Sequence, residues 1–139
     1  LIEYEKSGIP VDALISSQLL INIFEHNTPL HDGAVLIRGN TVVSATCYLP
    51  LSENMRISKD LGTRHRAAIG ISEVSDSVTI VVSEETGRVS VAIGGNLIKV
   101  NDKEGLKREL SVLLEDRKED KNISLLSKLL KGRGNDKDK

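Results

Sequence analysis

The spacing of apolar residues changes several times along the chain, and each change predicts an element. Leu14, Leu19, Leu20, Ile23 and Phe24 recur at helical spacing, which predicts a helix from about Asp12 to Glu25. Pro10 just ahead suits a first turn, and Asn27-Thr28-Pro29 ends the pattern. Ala34 to Arg38 is a short aliphatic run, and Gly39-Asn40 is a two-residue hairpin signal before the β-branched run Thr41 to Tyr48. Leu49-Pro50-Leu51 closes this strand, and a polar loop runs to Asp60. A second helix is predicted from Gly62 to Ile71, with Thr63 as its cap. Ser77 to Ser83, Arg88 to Ile93 and Leu97 to Val100 read as three strands of an antiparallel meander, joined by Glu84-Glu85-Thr86-Gly87 and Gly94-Gly95-Asn96. Leu106, Leu110, Leu113 and Leu114 mark an amphipathic helix, and Ile123, Leu126, Leu129 and Leu130 a shorter one. Lys131 to Lys139 reads as a solvated, disordered tail of charges, Gly and Asn. The expected class is α/β, a single domain with a central mixed sheet flanked by helices.

Composition narrows the functions. The 139 residues allow one domain with a real core. Only Tyr4, Phe24 and Tyr48 are aromatic, so stacking platforms for single strands are missing. Lys plus Arg number 19 against 20 Asp plus Glu, without the positive excess that bulk nucleic-acid binding draws on. No nucleic-acid partner is expected. Cys47 is the one cysteine, which excludes an intrachain disulfide and reads as a small buried thiol. No apolar run approaches the roughly 20 residues of a membrane span, and the start has no signal-peptide pattern. The chain reads as soluble and as a fragment of something longer.

Two clusters carry candidate chemistry. Gly62-Thr63-Arg64-His65-Arg66-Ala67-Ala68 opens the second helix, where free backbone N–H groups and the dipole favour an anion. Arginine adds a planar fork suited to phosphate oxygens. Arg64 there opposes the helix dipole, so folding alone would have favoured Asp or Glu. A bare Arg-x-Arg is nonetheless more often a solvated basic turn. Leu30-His31-Asp32-Gly33-Ala34 forms the other cluster. Asp32 can hold Mg²⁺ or Mn²⁺ through oxygen, and His31 beside it favours Mn²⁺. Gly33 lets a ligand approach the backbone, yet Asp-Gly is also among the commonest turn pairs. Glu84 and Glu85 are further candidate ligands or an ordinary hairpin tip. No P-loop pattern occurs, and Gly94-Gly95 is not a dinucleotide fingerprint. Residue chemistry alone reaches a phosphate- and metal-binding α/β domain.

Taken together, Asp32-Gly33-Ala34 and Arg64-His65-Arg66 resemble the paired hallmark of the diadenylate cyclase (DAC) domain. Asn27 to Ala34, Tyr48-Leu49-Pro50-Leu51 and the run from Ile57 to Gly87 resemble the CdaA-type membrane cyclases, a likeness reaching from Tyr4 to Ile93. The resemblance implies a catalytic domain over residues 1–119, with 120–139 a short helix and tail. In such cyclases transmembrane helices and a first strand precede the point where this chain starts, placing the full-length protein at the cytoplasmic face of the membrane. The implied reaction condenses two ATP into cyclic di-AMP, each 3′-hydroxyl attacking the other molecule's α-phosphorus as pyrophosphate leaves. Asp32, Gly33, Arg64, His65 and Arg66 would be the catalytic set. Gly33, Ala34, Tyr48, Leu49, Gly62, Thr63, Arg64, Arg66 and Ser83 would bind ATP, with Tyr48 stacking on adenine. His31, Asp32 and Glu85 would hold Mn²⁺ or Mg²⁺, with Co²⁺ a further candidate. The two equivalent linkages of the product imply a face-to-face homodimer. A membrane-anchored regulator and phosphoglucosamine mutase are the implied protein partners. A nucleotide receptor is the rival reading. It has no need of a metal-binding Asp32 beside a phosphate-gripping helix.

Overall fold

The computed structural model describes residues 1–57 and 59–120. The shorter helix over Ile123 to Leu130 and the tail lie outside the described residues. The described chain gathers into two compact units, Leu1–Tyr48 together with the stretch from Lys107 onward, and Leu49–Leu106. The α/β class holds, and among the described residues the strands form two three-stranded antiparallel sheets, one in each unit.

The first unit starts with a short helix α1 (Ile2–Glu5), then β1 (Ile9–Leu14), α2 (Ser17–Ile23), β2 (Ala34–Arg38) and β3 (Thr41–Cys47). Its sheet has the order β1-β3-β2. The helix predicted from Asp12 is corrected here. Leu14 belongs to a strand and Leu19 to a helix, so their helical spacing was a coincidence across a boundary. That boundary is set by Ser16, whose Oγ accepts a 3.1 Å hydrogen bond from the Leu19 amide. Pro10 sits in the edge strand β1, where a missing N–H is tolerated. Asp12 follows with φ 47°, at the point where the β1–β3 register shifts. Leu20, Ile23, Val35, Val42 and Ala45 form the core between α2 and the sheet, with Val11, Leu19 and Leu30 packed on it. An ion pair between Glu5 and Arg38 ties α1 to β2.

The second unit contains α3 (Thr63–Val74) and the meander β4 (Thr79–Val82), β5 (Val89–Ile93) and β6 (Asn96–Val100) in the order β4-β5-β6. Ala68 of α3 packs with Val81 and Ala92 of the sheet, and Leu97 closes the cluster. Ser72 of α3 fixes the β5–β6 turn by accepting a 2.9 Å hydrogen bond from the Gly95 amide. The last described helix, α4 (Lys103–Asp120), has Leu106 and Leu110 buried, as its leucine spacing predicts. No helix among the described residues is long and apolar enough to cross a membrane.

Candidate active site

The loop after α2 orients the His31-Asp32 cluster. Asn27 takes a left-handed conformation at φ 65°, and the Thr28 hydroxyl donates to the Glu25 carbonyl at 2.8 Å. This turns the Thr28 carbonyl toward His31, whose Nδ1 lies 2.7 Å from it. A carbonyl only accepts, so Nδ1 must carry the proton. The lone pair of a neutral ring therefore sits on Nε2, 3.3 Å from Asp32 Oδ1. Two acceptors facing each other repel unless a proton or a metal cation stands between them. The donor chemistry fits a divalent cation, with one imidazole and one carboxylate, and with the ring aimed by a carbonyl behind it. Among the described residues no group of three or more His, Cys, Asp and Glu is gathered to hold a metal, so His31 and Asp32 form a partial donor set. His26 meets the His31 ring edge-on at a centroid distance of 5.9 Å.

Gly33 follows at φ 87°. A side chain there would have its Cβ 2.8 Å from the Thr46 carbonyl carbon and 2.9 Å from the Cys47 oxygen. The glycine thus has a reason internal to the fold, beyond ligand approach: it lets this turn lie against β3. Ala34 begins β2 and pairs with Cys47. Tyr48 is 74% exposed just beyond β3, and its amide donates to Ser7 Oγ at 2.9 Å.

In the second unit, α3 begins at Thr63 with Gly62 as its N-cap, and no side chain caps it. The predicted cap at Thr63 is corrected: Thr63 is already helical. With neither a capping oxygen nor an acidic residue in the first turn, the helix start keeps its affinity for an anion. Arg64 lies at this end. Its Nη1 donates to the Val82 carbonyl at 3.1 Å, and its Nη2 pairs with Glu84 Oε1 at 3.0 Å. Arg66 is half-buried, and its guanidinium has no carboxylate partner among the described residues. His65 between them is buried. Desolvation, then the charge of Arg64, holds its imidazole below the usual histidine value, so it is neutral where its neighbours are cations. Ser83 Oγ accepts from the Glu85 and Thr86 amides, both at 3.3 Å. Glu85 is exposed beside it. Leu49 is half-buried at the start of this unit.

The sequence missed the anchors of these groups. Thr28 for His31, and Val82 and Glu84 for Arg64, act through main-chain carbonyls or from a neighbouring turn. Only Glu84 stood out beforehand, and for another role.

Comparison with known proteins identifies what the chain is similar to. The family model for DAC, described as DisA bacterial checkpoint controller nucleotide-binding, matches residues 1–97. Cyclic di-AMP synthase CdaA of Bacillus subtilis is 62% identical over 108 residues, which are 78% of this chain and 40% of that protein. A diadenylate cyclase of Listeria monocytogenes matches with the same identity and coverage. The chain therefore spans 40% of the length of these relatives. Among solved structures, DacA of Staphylococcus aureus superposes with a TM-score of 0.76 at 50% identity, covering 80% of this chain and 74% of that one.

Proposed function

Because the chain belongs to the DAC family, described as DisA bacterial checkpoint controller nucleotide-binding, we propose that it is the catalytic part of a diadenylate cyclase. It condenses two ATP into cyclic di-AMP and releases two pyrophosphates. The observation that carries this reading is the uncapped start of α3 with Arg64 and Arg66 on its first turn, a grip suited to a triphosphate.

Thr63, Arg64 and Arg66 bind and orient the phosphates, and the Ser83 hydroxyl donates to a phosphate oxygen. Tyr48 and Leu49 border the adenine, and Gly33 and Ala34 lie along the nucleotide. His65 completes the catalytic set between the two arginines as a group that adds no charge. Asp32 accepts a hydrogen bond from the attacking 3′-hydroxyl and sets its direction, which is where most of the rate gain in phosphoryl transfer arises. His31 and Asp32 would hold a divalent cation, Mn²⁺, Mg²⁺ or Co²⁺, with Glu85 as a further candidate ligand. When bound, the cation neutralises charge developing on the phosphates.

The two equivalent linkages of the product call for two ATP-loaded copies meeting face to face. The cytoplasmic face of the membrane is the location this reading assigns to the full-length protein. A single assay tests the activity: incubation with ATP and Mn²⁺ or Mg²⁺, with cyclic di-AMP read by chromatography and mass spectrometry over a range of protein concentrations. Specific activity should rise with concentration. Bound ATP without product at any concentration would favour a nucleotide receptor.

A further inference from the structure

The loop after Tyr48 is fastened to α3 at three places, all within the second unit. The Ser52 amide donates a 3.0 Å hydrogen bond to the Arg66 carbonyl. The Ser52 hydroxyl donates to Glu73 Oε2 at 2.9 Å and accepts from the Asn54 amide at 3.2 Å. Between these, the Pro50 carbonyl lies directly on Gly70, in the space a Cβ would fill, with the Ser52 amide 2.8 Å from that same point. Ser52 is only 6% exposed, so its hydroxyl depends on these partners. A solvated turn needs none of this. The fastening joins Leu49-Pro50 to the helix whose first turn carries Thr63, Arg64 and Arg66.

We propose that Ser52, clasped to Glu73 and to the Arg66 carbonyl, is a positioning residue that fixes the distance between the adenine-bordering segment at Leu49 and the phosphate-gripping turn of α3. The inference rests on the ATP reading given above. Ser52 touches no substrate. It makes one rigid gauge of two segments that would otherwise hold base and triphosphate independently, and it thereby favours a ligand with the base-to-phosphate span of a nucleoside triphosphate. Glu73 supports it from the exposed side of the helix.

The test compares ATP with inorganic tripolyphosphate, which has the charge without the base, by calorimetric titration of the whole chain. Ser52→Ala is expected to weaken ATP about tenfold, the effect of one well-placed hydrogen bond to a charged partner, while tripolyphosphate changes less than about twofold. Glu73→Ala, at an exposed position that does not endanger folding, should reproduce the split. Glu73→Gln, which keeps an acceptor oxygen, should restore ATP binding. Equal weakening of both ligands, or ATP binding unchanged in Ser52→Ala and Glu73→Ala, overturns the proposal. Failure of the unaltered chain to bind ATP while it binds tripolyphosphate would instead defeat the ATP reading and the gauge with it.

Discussion

His31 Nε2 and Asp32 Oδ1 stand 3.3 Å apart with the ring's other nitrogen committed to the Thr28 carbonyl. The pair is arranged before any ligand arrives, because the loop and not the ligand chooses the tautomer. An amide at residue 32 would keep the shape and remove the charge.

Asp32→Asn should therefore separate chemistry from binding. Turnover is expected to fall by on the order of a hundredfold or more, while ATP affinity shifts only a few-fold. Product formation and titration with ATP, measured on the same preparation, check this. Equal losses in both would mean that Asp32 is a binding group only.

Acidification should weaken the fold through His65. Burial first and the Arg64 charge second hold its imidazole below 6.5. Below that value the unfolded chain takes up a proton that the folded chain still refuses, so stability declines as pH drops toward the folded-state value. Above 6.5 the contribution is fully present. Thermal melts on either side should show a lower midpoint on the acid side, and His65→Gln should flatten the difference. An unchanged slope in that variant would assign the acid sensitivity to other groups.

Gly33→Ala should be costly for two reasons that add. The φ of 87° is strained for any side chain, and the new Cβ would press on the backbone of Thr46 and Cys47. A loss of at least about 1–3 kcal/mol is expected from the strain alone, read from urea denaturation. A change below about 0.5 kcal/mol, ordinary for a surface substitution, would show that this turn relaxes freely.

Local signals made much of this molecule legible in advance. The Gly39-Asn40 hairpin and the Thr79–Val100 meander follow from alternation and turn residues, and both formed as expected. α1 and β1 were not legible. The four residues of α1 are held by the Glu5–Arg38 pair and by Ser44, far away in sequence. β1 has Pro10 and a left-handed Asp12, both poor strand residues, and exists because β3 pairs with it. The site shows the same division. Residue types at 31, 32, 64 and 66 announced anion and cation chemistry. The groups that aim them did not, because a carbonyl at Thr28 or Val82 looks like any other in a sequence.

The irregular strand β1 also bears on how copies of the chain behave when crowded. Among the described residues it is the edge of its sheet and exposes Ile9 and Leu14, the apolar flank on which stray strands ordinarily stack into aggregates. Between them Pro10 has no amide proton to offer, and the bulge at Asp12 throws any incoming ladder out of step. Sheet-to-sheet polymerisation through this edge is discouraged by the same two residues that made the strand hard to recognise.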